Sequence, residues 1–146
     1  MPLTRRELCL MLPAAILPTA TVVEELTAQD TTLPSATWMF DQLPMNSENG
    51  AEFRQILKGK LATGESLEAH ETTLPVGGSP HPPHHHPHSE MWLIREGTIE
   101  ININGTNHRL GPGGAGFVRS NEEHGIKNVG TTPATYFVVA VGPGAA

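Results

Sequence analysis

From Glu52 onward the chain alternates apolar and polar residues with a period of two, in short runs separated by Gly, Pro, Asn and Asp. That period is the signature of strands with one face buried and one wet. The clearest run is Thr98-Ile-Glu-Ile-Asn-Ile-Asn104-Gly105-Thr-Asn-His-Arg-Leu110. Ile99, Ile101 and Ile103 share one face, and Asn-Gly accepts positive φ at both central positions of a two-residue turn, so a hairpin is predicted here. Further strands are expected at Glu52 to Lys60, Leu67 to Leu74, Met91 to Ile94, Ala115 to Val118, His124 to Val129 and Thr135 to Val141. The last is a continuous apolar run suited to a strand buried on both faces. The stretch from Asp30 to Gly50, rich in Thr, Ser, Pro and Asn, reads as a linker ending in an edge element around Trp38-Met-Phe40. Nothing in the pattern requires a long helix, and eight or nine short strands point to an all-β sandwich or barrel.

Composition narrows this picture. The 146 residues suffice for one domain with a normal core, and 15 Gly with 13 Pro suit a chain of many turns. A net charge of -6 supplies no basic face for nucleic acid. No internal repeat is visible.

Chemistry concentrates in Gly78-Ser-Pro-His-Pro-Pro-His84-His85-His86-Pro-His88-Ser-Glu90-Met-Trp-Leu-Ile-Arg-Glu-Gly97. On an extended strand His84, His86 and Glu90 leave the same face, and two imidazoles with one carboxylate make most of a shell for a borderline divalent metal. A low-complexity chelating tract or an expression tag would explain the histidines alone. Neither explains Glu90 and Gly97 at their offsets or the apolar strand that follows. Choosing His86 and His88 as the pair would put Trp92 where the carboxylate is needed.

This stretch resembles the first signature of the cupin family at every fixed position. Gly113-Gly-Ala-Gly-Phe-Val-Arg119-Ser-Asn121-Glu-Glu-His124-Gly-Ile-Lys-Asn128 resembles the second, with Arg119 where Pro is usual and Asn121 where Gly is usual. Asn tolerates positive φ better than other side chains, so the turn survives. The resemblance covers roughly residues 50 to 141. It implies a double-stranded β-helix, that is, a jelly-roll cupin barrel, over 51–146. It also implies that His124 completes a ligand set of His84, His86 and Glu90, with Gly78, Gly97, Gly113 and Asn128 in structural roles. One divalent transition ion (Mn, Fe, Ni, Cu or Zn) would then keep open positions for a small-molecule ligand or substrate.

If the strand stays regular, His88 and Trp92 share the ligand face. His88 is then a candidate proton carrier and Trp92 a candidate pocket wall, while Arg119 is a candidate anchor for an anionic substrate. His81 and His85 are expected outside the site, and His70 and His108 read as ordinary strand histidines. Met91 and Leu93 face away from the ligands and need another partner, which in cupins is often a second subunit, so a homodimer is expected. A metal-dependent enzyme of oxygenase, isomerase or lyase type leads, ahead of a non-catalytic metal- or sugar-binding protein and a barrel with a vestigial site.

Residues 1–28 read as a signal peptide. Thr4-Arg5-Arg6-Glu7-Leu8 resembles the twin-arginine export signature, and the apolar stretch Leu8 to Val23 is short and broken by Pro13 and Pro18. A periplasmic or secreted product without a stable membrane anchor is expected. Cys9, the only cysteine, would leave with the signal, so no disulfide would support the fold.

Overall fold

The computed structural model describes residues 32–145. The signal-peptide reading, with Arg5, Arg6 and Cys9, lies outside them. After a short 3-10 turn at Phe40–Gln42 come nine strands: β1 Met45–Glu48, β2 Ala51–Lys60, β3 Ser66–Leu74, β4 Ser89–Glu96, β5 Ile99–Ile103, β6 Thr106–Leu110, β7 Ala115–Val118, β8 His124–Asn128 and β9 Ala134–Val141. They form two antiparallel sheets, β1-β2-β3-β9-β4-β7 and β6-β5-β8, in a jelly-roll barrel. No helix among the described residues is long and apolar enough to cross a membrane.

Strand boundaries follow the sequence pattern closely, and the expected hairpin is β5–β6. Asn104 and Gly105 take φ of 50° and 82°, the pair of positive values a type I′ turn demands. Asn102 locks it by accepting the Gly105 N–H at 3.1 Å. The edge element lies later than expected. Trp38 to Phe40 are exposed, extended or turned residues, and the strand at the sheet edge is Met45–Glu48, paired with Arg54 to Ala51. Phe40 meets a neighbouring charge instead, with Arg54 over its ring at 4.4 Å.

Strand order, unlike strand position, depends on long-range pairing. β9 lies between β3 and β4, with Tyr136 beside Thr72 and Ile94, Val138 beside His70 and Trp92, and Ala140 beside Glu68 and Glu90. These even-numbered residues face inward. Trp92, Ile94, Leu74, Tyr136 and Val138 pack there against Ile99, Ile101 and Ile126 of the smaller sheet. Burying each such side chain contributes roughly 1.5–3 kcal/mol. Asn128 holds the end of the barrel. It is fully buried, and the two hydrogens of its amide are shared among the carbonyls of Leu74, Pro75 and Thr132 at 3.2, 3.1 and 2.8 Å. Its carbonyl accepts the Gly130 N–H at 2.9 Å, so every polar atom of this side chain is used.

The outward, odd-numbered face of β4 and β7 carries exposed apolar side chains. Met91 pairs with Phe117 and Val139, and Leu93 with Phe137. Phe117 remains 53% exposed, Leu93 43% and Met91 40%. The expectation that Met91 and Leu93 point away from the site holds.

Candidate metal centre

His84 and His86 reach the site by a different route from the regular strand expected. β4 begins only at Ser89, because Pro82, Pro83 and Pro87 lack the N–H groups a ladder needs. A loop carries both histidines, and backbone bonds to the opposite sheet fix it. His84 and His124 exchange N–H···O bonds of 2.9 and 2.8 Å, and the Asn121 N–H donates to the His86 carbonyl at 2.8 Å. Asn121 adopts φ of 62°, as its substitution for Gly requires, and turns the chain into β8.

Ligand nitrogens of His84, His86 and His124 lie within 4.8 Å of one another, and those of His86 and His88 group likewise with Glu90. His86 Nδ1 meets the His88 carbonyl oxygen at 2.9 Å, and His124 Nδ1 meets the Glu122 carbonyl oxygen at 2.9 Å. A carbonyl only accepts, so both Nδ1 atoms carry the proton and both Nε2 atoms present lone pairs. Those lone pairs face Glu90 Oε2, at 3.5 Å from His86 and 3.3 Å from His124. Acceptor facing acceptor in a buried place calls for a cation between them. His84 Nδ1, His86 Nε2 and His124 Nε2 are all buried without a hydrogen-bond partner. Orphaned nitrogens grouped within 4.8 Å of one another, two of them facing one carboxylate, are the features a divalent ion would satisfy, so the residues fit a metal.

In the chain by itself, a proton partly fills that role. Burial disfavours charge on His124, but the Glu90 carboxylate and the Glu122 carbonyl outweigh it and raise the imidazole pKa. Burial opposes ionisation of Glu90, yet the neighbouring His124 and His86 hold the carboxyl below its usual value. His84 is pushed down to about 4, first by burial and then by His81, His124 and His86 around it.

The site opens on a cavity of about 710 Å³ lined by Glu90, Trp92 and His124 together with residues of β2, β3 and β9. Trp92 stands in the wall, 5.4 Å ring to ring from His124. His88 is not in the cavity lining and instead stacks on His86 at 3.5 Å. Arg119 also differs from expectation: its side chain is 76% exposed, ion-paired with Glu122 three residues on, and absent from the cavity wall. His81, expected outside, lines the cavity and lies 4.1 Å ring to ring from His84, while His85 is exposed.

His70 is the residue that sequence reading placed elsewhere. It lines the cavity with its neighbours Glu68 and Thr72, and its Nδ1 lies 3.4 Å from Glu68 Oε1. Strand parity held the signal, since 68, 70 and 72 alternate as the ligand-face residues of β4 do. Gly97 takes φ of 79°, and a Cβ there would come within 2.6 Å of Ala134. Gly113 has φ of 80°, and Gly78 lies against Pro75.

Residues 70–140 match the family model described as Cupin domain. An RmlC-like cupin from Shewanella frigidimarina NCIMB 400 is similar in structure, with a TM-score of 0.66, 18% identity, and coverage of 76% of this chain and 94% of its own. A predicted oxalate decarboxylase from Thermotoga maritima gives 0.63 at 19% identity over 73% and 99%. A polyketide cyclase from Streptomyces resistomycificus gives 0.59 at 20% identity over 74% and 80%. No curated protein sequence matches. The fold is that of a jelly-roll cupin, and the stretch from His70 to Ala140 matches the cupin domain.

Proposed function

We propose that this chain is an exported, metal-dependent enzyme acting on a small organic substrate. The carrying observation is the grouping of unsatisfied nitrogens of His84, His86 and His124 within 4.8 Å of one another, with Glu90 beside His86 and His124, at the edge of a roomy cavity. Three imidazoles and one carboxylate suit Mn, Fe, Ni, Cu or Zn, and such an ion would supply Lewis acidity, activated water or oxygen chemistry. The chain's own contribution is positional: Glu122 and His88 carbonyls fix the tautomers of His124 and His86, and Trp92 walls the site. The Thr4-Arg5-Arg6 segment supports export. The open apolar face around Met91, Leu93 and Phe117 supports a homodimer.

Metal per chain, measured after dialysis of protein purified from its own export compartment, tests the reading. Near-stoichiometric metal is expected for the native chain and for His85→Ala. Most of it should be lost in His124→Ala and in Glu90→Gln, which keeps the shape but removes the only anionic ligand. Loss in His85→Ala with retention in His124→Ala would reduce the His-rich stretch to a chelating tract. Bound iron directs the activity search to oxygen-dependent turnover and zinc to isomerase or lyase chemistry. Full metal without turnover in either search would support the second reading, a metal- or sugar-binding protein.

A further inference from the structure

The cavity wall away from the metal donors has its own chemistry. Across the large sheet, Glu68, Ala140 and Glu90 form one inward row, and His70, Val138 and Trp92 the next. Two strand spacings, about 10 Å, separate Glu68 from Glu90. Both carboxylates line the cavity, with Val138 of the strand between them. Gln55 pairs with His70 and also lines the cavity. Its Nε2 donates to the carbonyls of Leu57 and Ala69 at 2.8 and 3.0 Å, which leaves Oε1 as an acceptor. One row further, Thr72 and Tyr136 are each 1% exposed. Thr72 Oγ1 faces the Tyr136 hydroxyl without a well-formed hydrogen bond and has no other partner.

No Lys or Arg among the described residues lines this cavity, whereas Glu48, Glu68 and Glu90 do. Lys58 is ion-paired with Glu68, its Nζ 3.3 Å from Oε2. The wall is therefore rich in acceptors and hydroxyls. A ligand group that donates hydrogen bonds is satisfied there, while a carboxylate or phosphate, which only accepts, meets acceptors and negative charge.

We propose that Gln55, Glu68, His70, Thr72 and Tyr136 form a subsite for the uncharged, hydroxyl-bearing end of a small organic molecule whose other end meets the metal donors, and that the subsite rejects a second anionic group. The inference rests on the metal reading above and extends it to the class of substrate: polyhydroxylated compounds with at most one acidic end.

The test uses the full chain loaded with Co(II), metal content being measured first, and follows the visible Co(II) spectrum during titration. Gluconate and glucarate share a 2-hydroxycarboxylate head and a six-carbon chain, and differ at the far end by hydroxymethyl against carboxylate. Lactate carries the head alone. Gluconate should bind at least tenfold more tightly than glucarate. His70→Leu should weaken gluconate several-fold with lactate unchanged. Glu68→Gln, which frees Lys58, should improve glucarate several-fold. Equal or tighter binding of glucarate by the native chain overturns the subsite, as does a His70→Leu loss shared by lactate, or a loaded protein that none of the three probes perturbs. Failure to take up Co(II) overturns the metal reading and the subsite with it, and the initial metal measurement tells the two failures apart.

Discussion

His84 shows how far a single side chain is governed by its neighbours. It was legible as a ligand candidate from its spacing to His86 and Glu90, but the strand invoked to align them is a proline-bearing loop pinned to β8. Local spacing predicted the convergence, and cross-sheet hydrogen bonds that no local pattern reveals produce it. The same limit explains His70, whose role depends on which strands close the barrel, and Arg119, whose charge is taken up by Glu122 in its own turn. In the metal-free chain His84 has a measurable consequence. Its imidazole titrates at about 4 when folded against 6.5 ordinarily, through burial first and the surrounding histidines second. Between those values the unfolded chain binds a proton the folded chain refuses, so this residue subtracts stability as pH falls from 6.5 toward 4. His124, whose pKa is raised, acts in the opposite sense. Melting temperatures in chelator should therefore fall less steeply across that window in His84→Asn than in the native chain. Parallel curves would assign the acid sensitivity to other groups.

Among elements, the β5–β6 hairpin was the most readable, because alternation and Asn-Gly are both local signals. The large sheet was readable strand by strand and unreadable in its order, since the β3–β9 and β4–β9 pairings join residues far apart in sequence. Two glycines in these elements separate backbone conformation from packing. Gly105 and Gly97 have nearly the same φ, 82° and 79°. A Cβ at Gly105 would meet nothing within 4 Å, whereas one at Gly97 would come within 2.6 Å of Ala134 and 2.8 Å of the Pro133 oxygen. Gly105→Val should therefore cost about 1–2 kcal/mol, the left-handed backbone penalty alone. Gly97→Val should cost clearly more, because β9 must move as well. Equal shifts in melting temperature would show that the Gly97 contact relaxes freely.

At the scale of the whole molecule, the outer face of the large sheet tests the proposed homodimer. Leu93 and Phe117 are among the exposed large apolar side chains of that face, and a charge there has nowhere to hide in an interface. The native chain should sediment as a dimer and Leu93→Glu as a folded monomer; a native monomer at micromolar concentration would remove the dimer. The position of β9 has another consequence, for the order of events during synthesis. It is the strand made last among those described and also the seam joining β1-β2-β3 to β4-β7. A nascent chain that has not yet released Ala134 to Val141 from the ribosome holds two half-sheets with no backbone partner between them. Tyr136 and Val138 are then missing from the core. Arrested translation products ending before Ala134 should remain protease-sensitive and should not retain metal, even though His84, His86, Glu90 and His124 have all been made. The cavity floor closes only once Ala134 to Val141 has paired, so metal acquisition follows the arrival of β9.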